Sequence, residues 1–230
     1  MGATSAALVA RLEAMASPEN AAGMARFGIR GARVLGVPVR ELRAIARETG
    51  RDHALAEELW ATGIHEARIL ASIVAEPRRV TLDLMERWAA DFDSCDLCDQ
   101  CCTNLFRRTP FAHERALAWS ERGAEFVKRA GFVLMAQVAG KDRRATDELL
   151  RAYLARVERE AGDERIYVKK AVSWALRAIG QRSAALHAEA LEVARRLRDA
   201  EARAARWVGS DALRELTSEK VARRVAARGA

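Results

Sequence analysis

Val168-Lys169-Lys170-Ala171-Val172-Ser173-Trp174-Ala175-Leu176-Arg177-Ala178-Ile179 decides the fold class of this 230-residue chain. Val172, Ala175, Leu176 and Ile179 recur at three- and four-residue spacing, the period of a helix with one apolar face. Gly180 follows at once, where a helix ends. The same period runs through Leu55, Leu59 and Trp60, through Ile69, Leu70, Ile73 and Val74, and through Leu82, Met85, Trp88 and Ala89. No stretch sustains a two-residue alternation and no Asn-Gly hairpin signal occurs, so the chain reads as all α.

Helix starts are expected at Ser17-Pro18-Glu19, Pro38-Val39, Thr109-Pro110 and Ser218-Glu219, and ends at Gly50, Gly63, Gly140 and Gly180. That punctuation predicts about a dozen helices of ordinary length joined by short turns. No Pro-, Ser- or Gly-rich linker interrupts them, so residues 1–230 are expected to form a single domain. Short helices that cannot each bury an apolar face complete one another by stacking. The expected architecture is a stack of antiparallel helix pairs, a curved α-solenoid with a basic concave face, with an irregular helical bundle as the other possibility.

The net charge is +7, and only five of the 39 Lys and Arg residues are lysines (128, 141, 169, 170 and 220). The planar arginine fork matches phosphate oxygens, which suits a nucleic-acid backbone; a GC-rich coding bias yields the same Ala- and Arg-rich composition. No apolar run approaches the roughly 20 residues of a membrane span. Met1-Gly2-Ala3-Thr4-Ser5-Ala6-Ala7-Leu8 lacks the basic and apolar regions of a secretory signal, so a cytoplasmic protein with reduced thiols is expected. Nothing signals a stable oligomer or an obligate protein partner, and a monomer is expected.

Phe92-Asp93-Ser94-Cys95-Asp96-Leu97-Cys98-Asp99-Gln100-Cys101-Cys102 gathers all four cysteines and three aspartates. Three accounts compete. A thiolate metal or redox site lacks a second ligand pair, since His53, His65, His113 and His187 are scattered singly. Small core thiols suit Cys95, Cys98 and Cys102, which share a helical stripe from which Cys101 is offset. A functional carboxylate is the third account: Asp91, Asp93 and Ser94 suit a helix N-terminus, whereas Asp99, well inside the helix, is poorly explained by capping. No metal and no cofactor is expected, and no Walker loop or dinucleotide fingerprint occurs.

Five segments together resemble the AlkD-like DNA alkylation repair family, helical-repeat DNA glycosylases. Gly36-Val37-Pro38-Val39-Arg40-Glu41-Leu42-Arg43 is similar to its G-[IV]-x-x-x-x-L-R segment, and His65-Glu66-Ala67-Arg68-Ile69-Leu70-Ala71 to its R-E-x-x-x-x-A helix. Cys95-Asp96-Leu97-Cys98-Asp99 falls where the family has W-D-x-x-D. Phe126-Val127-Lys128-Arg129-Ala130 resembles x-[RK]-R-[AT], with Trp119 ten residues before Arg129. Val168 to Arg177 is similar to [IV]-x-K-A-[IV]-x-W-x-L-R, the most specific of the five. The resemblance spans residues of about 20 to 215.

What the resemblance implies is excision of cationic N3- or N7-alkylated purines from double-stranded DNA, with Asp99 as the essential carboxylate. Trp174, Cys95, Phe92 and Asp96 would line the lesion, and Arg129, Lys128, Lys169, Lys170 and Arg177 would bind the DNA backbone. Trp174 falls on the helix face of Lys170 and Arg177 rather than that of Val172 and Ile179; Trp60, Trp88, Trp119 and Trp207 are assigned to packing. The chain departs from the family where Cys95 replaces the tryptophan that opens W-D-x-x-D. A thiol has no aromatic face, and Phe92, one turn earlier, is the available substitute. Two other functions stay open: a non-catalytic relative that binds damaged or branched DNA, and a helical-repeat scaffold for a protein partner.

Overall fold

The computed structural model describes residues 4–29, 31 and 33–229; Met1 to Ala3, part of the N-terminal segment read above, lie outside them. Among the described residues there are fourteen α-helices, two short 3-10 turns and no strand. They divide into two compact units, Met1–Thr109 and Pro110–Ala230. No helix of the described residues is long and apolar enough to cross a membrane.

The first unit contains α1 (Ser5–Ala14), α2 (Pro18–Arg26), α3 (Val39–Thr49), α4 (His53–Ala61), α5 (His65–Val74), α6 (Leu82–Ala90) and α7 (Cys95–Asn104). α5 packs between α3 and α7, and α4 packs against α5. Ser17 and Thr81 cap α2 and α6 through side-chain oxygens, each accepting from a backbone N–H of the first turn. Trp60 lies flat on Trp88, with ring centroids 4.0 Å apart, and Phe92 and Phe106 stand against this pair. Such ring pairs add about 0.5–1.5 kcal/mol each beyond the area they bury. Trp60 Nε1 donates to Asp91 Oδ2 at 2.7 Å, and the Arg68 guanidinium sits over the Trp60 ring at 5.3 Å. Asp91 therefore serves the tryptophan and Arg68 at the end of α6, not the start of α7 as expected.

Two family-like segments meet in this unit. Glu66, fully buried in the first turn of α5, accepts from the backbone N–H groups of Leu35, Gly36 and Val37 at 2.9, 2.7 and 3.3 Å. These are the donors of the loop that leads into α3. Gly36 has φ +79°, and a Cβ there would lie 2.2 Å from the Ser17 carbonyl oxygen. Both the backbone angle and the close approach require glycine.

The second unit contains α8 (Ala112–Trp119), α9 (Glu125–Lys141), α10 (Asp147–Glu160), α11 (Ile166–Ile179), α12 (Ala184–Arg198), α13 (Arg203–Leu216) and α14 (Glu219–Gly229). α9, α11 and α13 pack in sequence as one layer; α10, α12 and α14 form the other, with α10 against α11 and α12 against α13. This is the two-layer stacking of helix pairs expected from the periodicity. Every residue of α9 from Lys128 to Ala139 is buried, so this helix is walled in on all sides. Gly131 and Gly209 lie where the paired helices cross: a Cβ would fall 2.4 Å from Ser120 N and 2.3 Å from Arg198 N respectively.

Two expected boundaries shift. α8 begins at Ala112 rather than at Thr109-Pro110, because Thr109 Oγ1 is used in donating to the Phe106 carbonyl of the preceding turn. α9 passes through Gly140 to Lys141.

Candidate active site

α7 separates its residues by face. Leu97, Cys98, Cys101 and Cys102 are fully buried, while Cys95, Asp96, Asp99, Gln100 and Thr103 form a half-buried outward stripe. Cys98, Cys101 and Cys102 are core residues, whereas Cys95, expected among them, is half-buried; none of the four forms a disulfide. Cys101, expected to be offset, is as buried as Cys98 and Cys102, because the inward face is centred on Leu97 and Cys101 rather than on Cys98. Burial pushes the Cys101 thiol well above its ordinary value, reinforced by neighbouring Cys98. Among the described residues no group of three or more His, Cys, Asp or Glu is placed to hold a metal ion.

Asp96 and Asp99 have different surroundings. Asp96 Oδ2 lies 2.9 Å from His65 Nε2, at the first turn of α5, and the imidazole is buried. Burial opposes charge on both groups, but their hydrogen bond and mutual attraction win: His65 is raised and Asp96 lowered from the ordinary values. The hydrogen bond between them ties α7 to α5. Asp99 is half-buried on the outward stripe, one turn beyond Cys95. Phe92 does not line this stripe, contrary to expectation: its ring is buried 6.3 Å from Phe106 and 6.4 Å from Trp60. It cannot stand in for the aromatic face that Cys95 lacks.

The cations expected to bind DNA also divide. Lys128 is buried, with Nζ 2.9 Å from Glu160 and 3.0 Å from Asp163. Its two carboxylate partners overcome the desolvation that would lower it, and its ammonium is raised instead. Arg129 is buried and donates through Nη1 to the Tyr167 carbonyl at 2.6 Å. Lys128 therefore fastens the end of α10 and the turn after it to α9, and Arg129 fastens the first turn of α11 to α9, rather than presenting charge at the surface as expected. Asp163 in that turn is held well below the carboxylate range, chiefly by Arg165.

α11 keeps its polar face accessible. Trp174 is half-buried and, with Gln137, Lys141, Arg177, Glu215 and Arg224, lines a cavity of about 480 Å³ within the second unit. Arg177 is paired to Glu215 and donates to the Ser173 carbonyl at 3.2 Å. Lys141 is exposed and has no ion-pair partner among the described residues. Lys170 is exposed, and Lys169 Nζ lies 5.7 Å from the centroid of the Trp207 ring. Trp60, Trp88 and Trp119 are buried as expected, whereas Trp207 is an exposed large hydrophobic side chain. Gln137, Lys141 and Arg224 belong to no motif singled out above; Gln137 and Lys141 stand four apart on one face of α9, which the helical period makes visible.

A family model described as DNA alkylation repair enzyme matches residues 8–216. The chain belongs to that family. A solved structure described as belonging to "a new family of proteins related to the HEAT-like repeat DNA glycosylases with affinity for branched DNA structures" superposes with a TM-score of 0.76. The two share 23% identity over 84% of this chain and 83% of that one, a likeness that establishes the HEAT-like helical-repeat fold. Curated protein sequences give no significant match. The family model covers all the segments singled out above, from Gly36 to Arg177, in both units.

Proposed function

We propose that this member of the DNA alkylation repair enzyme family removes cationic N3- or N7-alkylated purines from DNA, with Asp99 as the catalytic carboxylate. The observation that carries the proposal is the position of Asp99, half-buried on the outward stripe of α7 one turn beyond Cys95. Alkylation places a positive charge on the purine, which makes it a ready leaving group. As the C1′–N bond breaks, its electron pair neutralises the base and positive charge develops on the sugar. A fixed carboxylate stabilises that charge and orients a water, which adds to C1′ and loses its proton to solvent. Trp174 would stack on a base, and Lys170, Lys169 and Lys141 would meet phosphates.

A second reading is favoured by Cys95. The family tryptophan at this position would stand on the same stripe as Asp99, and here that aromatic face is missing. A protein that binds branched DNA without excising a base, as the structural relative's affinity suggests for that protein, would not need it. Incubation with duplexes carrying N7-methylguanine or N3-methyladenine separates the two. Released base supports excision, and Cys95→Trp should then increase the rate. Tight binding to four-way junctions with no release from either lesion supports the second reading and overturns the first.

A further inference from the structure

We infer that Trp207 and the cations around it form a stacking site for an unpaired DNA base, distinct from the carboxylate stripe of α7. The inference rests on the DNA reading above and adds a structure-selective contact to it. α13 buries Ala204, Ala205, Val208, Gly209, Ala212 and Leu216. The opposite stripe is Arg203, Arg206, Trp207, Ser210 and Arg214, all exposed. An indole on a face of arginine, serine and the half-buried Asp211, which pairs with Arg214, is 38% exposed, although the apolar side of the same helix is packed. Core packing does not account for that placement.

The neighbouring layer supplies matching charge. α11 packs on α13 and carries Lys169, whose Nζ lies 5.7 Å from the Trp207 ring centroid, and the exposed Lys170. Lys169, Lys170 and Arg203 have no carboxylate partner among the described residues, unlike Lys128 and Arg177, which are paired. The Arg206 guanidinium is held against the carbonyls of Ala200 and Glu201, in the turn before α13. A nucleotide offers a flat π-face joined to an anionic phosphate, and this surface offers an exposed ring bordered by unpaired cations. Duplex DNA hides its base faces in the stack, so only an unpaired or splayed base can use the ring. Phosphates of any DNA can use the cations. The surface therefore selects DNA with single-stranded character, such as the strand-exchange point of a branch or a frayed end.

The test compares a fully paired duplex, a single strand of the same length and a three-way junction, at one salt concentration, by fluorescence anisotropy. Trp207→Leu keeps an apolar side chain but removes the ring; it should weaken single-strand and junction binding about tenfold and leave duplex binding within twofold. Trp207→Phe should restore most of the loss. Lys169→Ala should weaken all three DNAs alike, because it touches phosphate. Equal loss on duplex and single strand in Trp207→Leu, or no loss on any, overturns the stacking site while leaving the DNA reading intact. No binding of the wild-type protein to any of the three overturns both. Circular dichroism of each variant confirms that helix content is retained, so that a folding defect is not read as lost stacking.

Discussion

The two units use their family-like segments differently. In the first, Gly36 and Glu66 close a buried loop, and His65 binds Asp96 to fix α7. There the motif residues act on the backbone and leave Asp99 on the accessible stripe. In the second, one segment is buried in the scaffold, with Lys128 and Arg129 inside α9, and the other is turned outward, with Trp174 at a cavity and Lys170 exposed. A motif match alone does not distinguish a residue that builds the platform from one that works on it. Burial and partner do.

The largest effect that would sharpen this comparison is at Glu66. Glu66→Ala strands two buried backbone donors and one part-buried one, and should cost on the order of 3–5 kcal/mol of stability, read by chemical denaturation. A change below about 1 kcal/mol would show that the loop is satisfied another way. Lys128→Met leaves Glu160 and Asp163 facing each other and should cost on the order of 3 kcal/mol. Duplex affinity of this variant, measured where it is folded, should stay near wild type. A large loss of affinity with unchanged stability would return Lys128 to the DNA-binding set.

The His65–Asp96 pair gives a smaller effect that depends on pH. The raised His65 contributes stability that is complete below its unfolded value of about 6.5 and is lost as pH rises through its higher folded value. The lowered Asp96 contributes above its unfolded value of about 3.9 and loses it as pH falls through its lower folded value. Both contributions are present together between about pH 4 and 6.5. The stability gap between wild type and Asp96→Asn should therefore be widest there and narrow at alkaline pH. A gap independent of pH would contradict an ion pair. The smallest effect concerns the thiols: under native conditions Cys95 should react with a maleimide ahead of Cys98, Cys101 and Cys102, which the core shields.

Much of this arrangement is visible in the sequence. The period of Val172, Ala175, Leu176 and Ile179 places α11 and turns Trp174 away from its buried face, as the structure has it. Pro38 and Ser17 mark helix starts because their chemistry acts locally. The charged pair Lys128-Arg129 was less legible. Periodicity reports an amphipathic face, and α9 has none, because helices surround it. Its two cations are bound by partners some 30 residues or more further along, which no local pattern reveals. The same holds for Asp96, whose partner His65 lies 31 residues earlier. The outward position of Trp207 was legible in principle, since Ala204, Val208 and Ala212 define an apolar stripe that omits it.

Asp99, and not Asp96 one turn earlier, is proposed to stabilise the charge that develops as the alkylated base departs. Single-turnover release of N7-methylguanine by wild type, Asp99→Asn and Asp96→Asn tests it most directly. Asp99→Asn should slow release by about 100- to 1,000-fold, the effect of removing one preorganised electrostatic group. Asp96→Asn should lose stability and keep most of its rate wherever it is folded. Full activity in Asp99→Asn, or a rate loss confined to Asp96→Asn, would contradict the account.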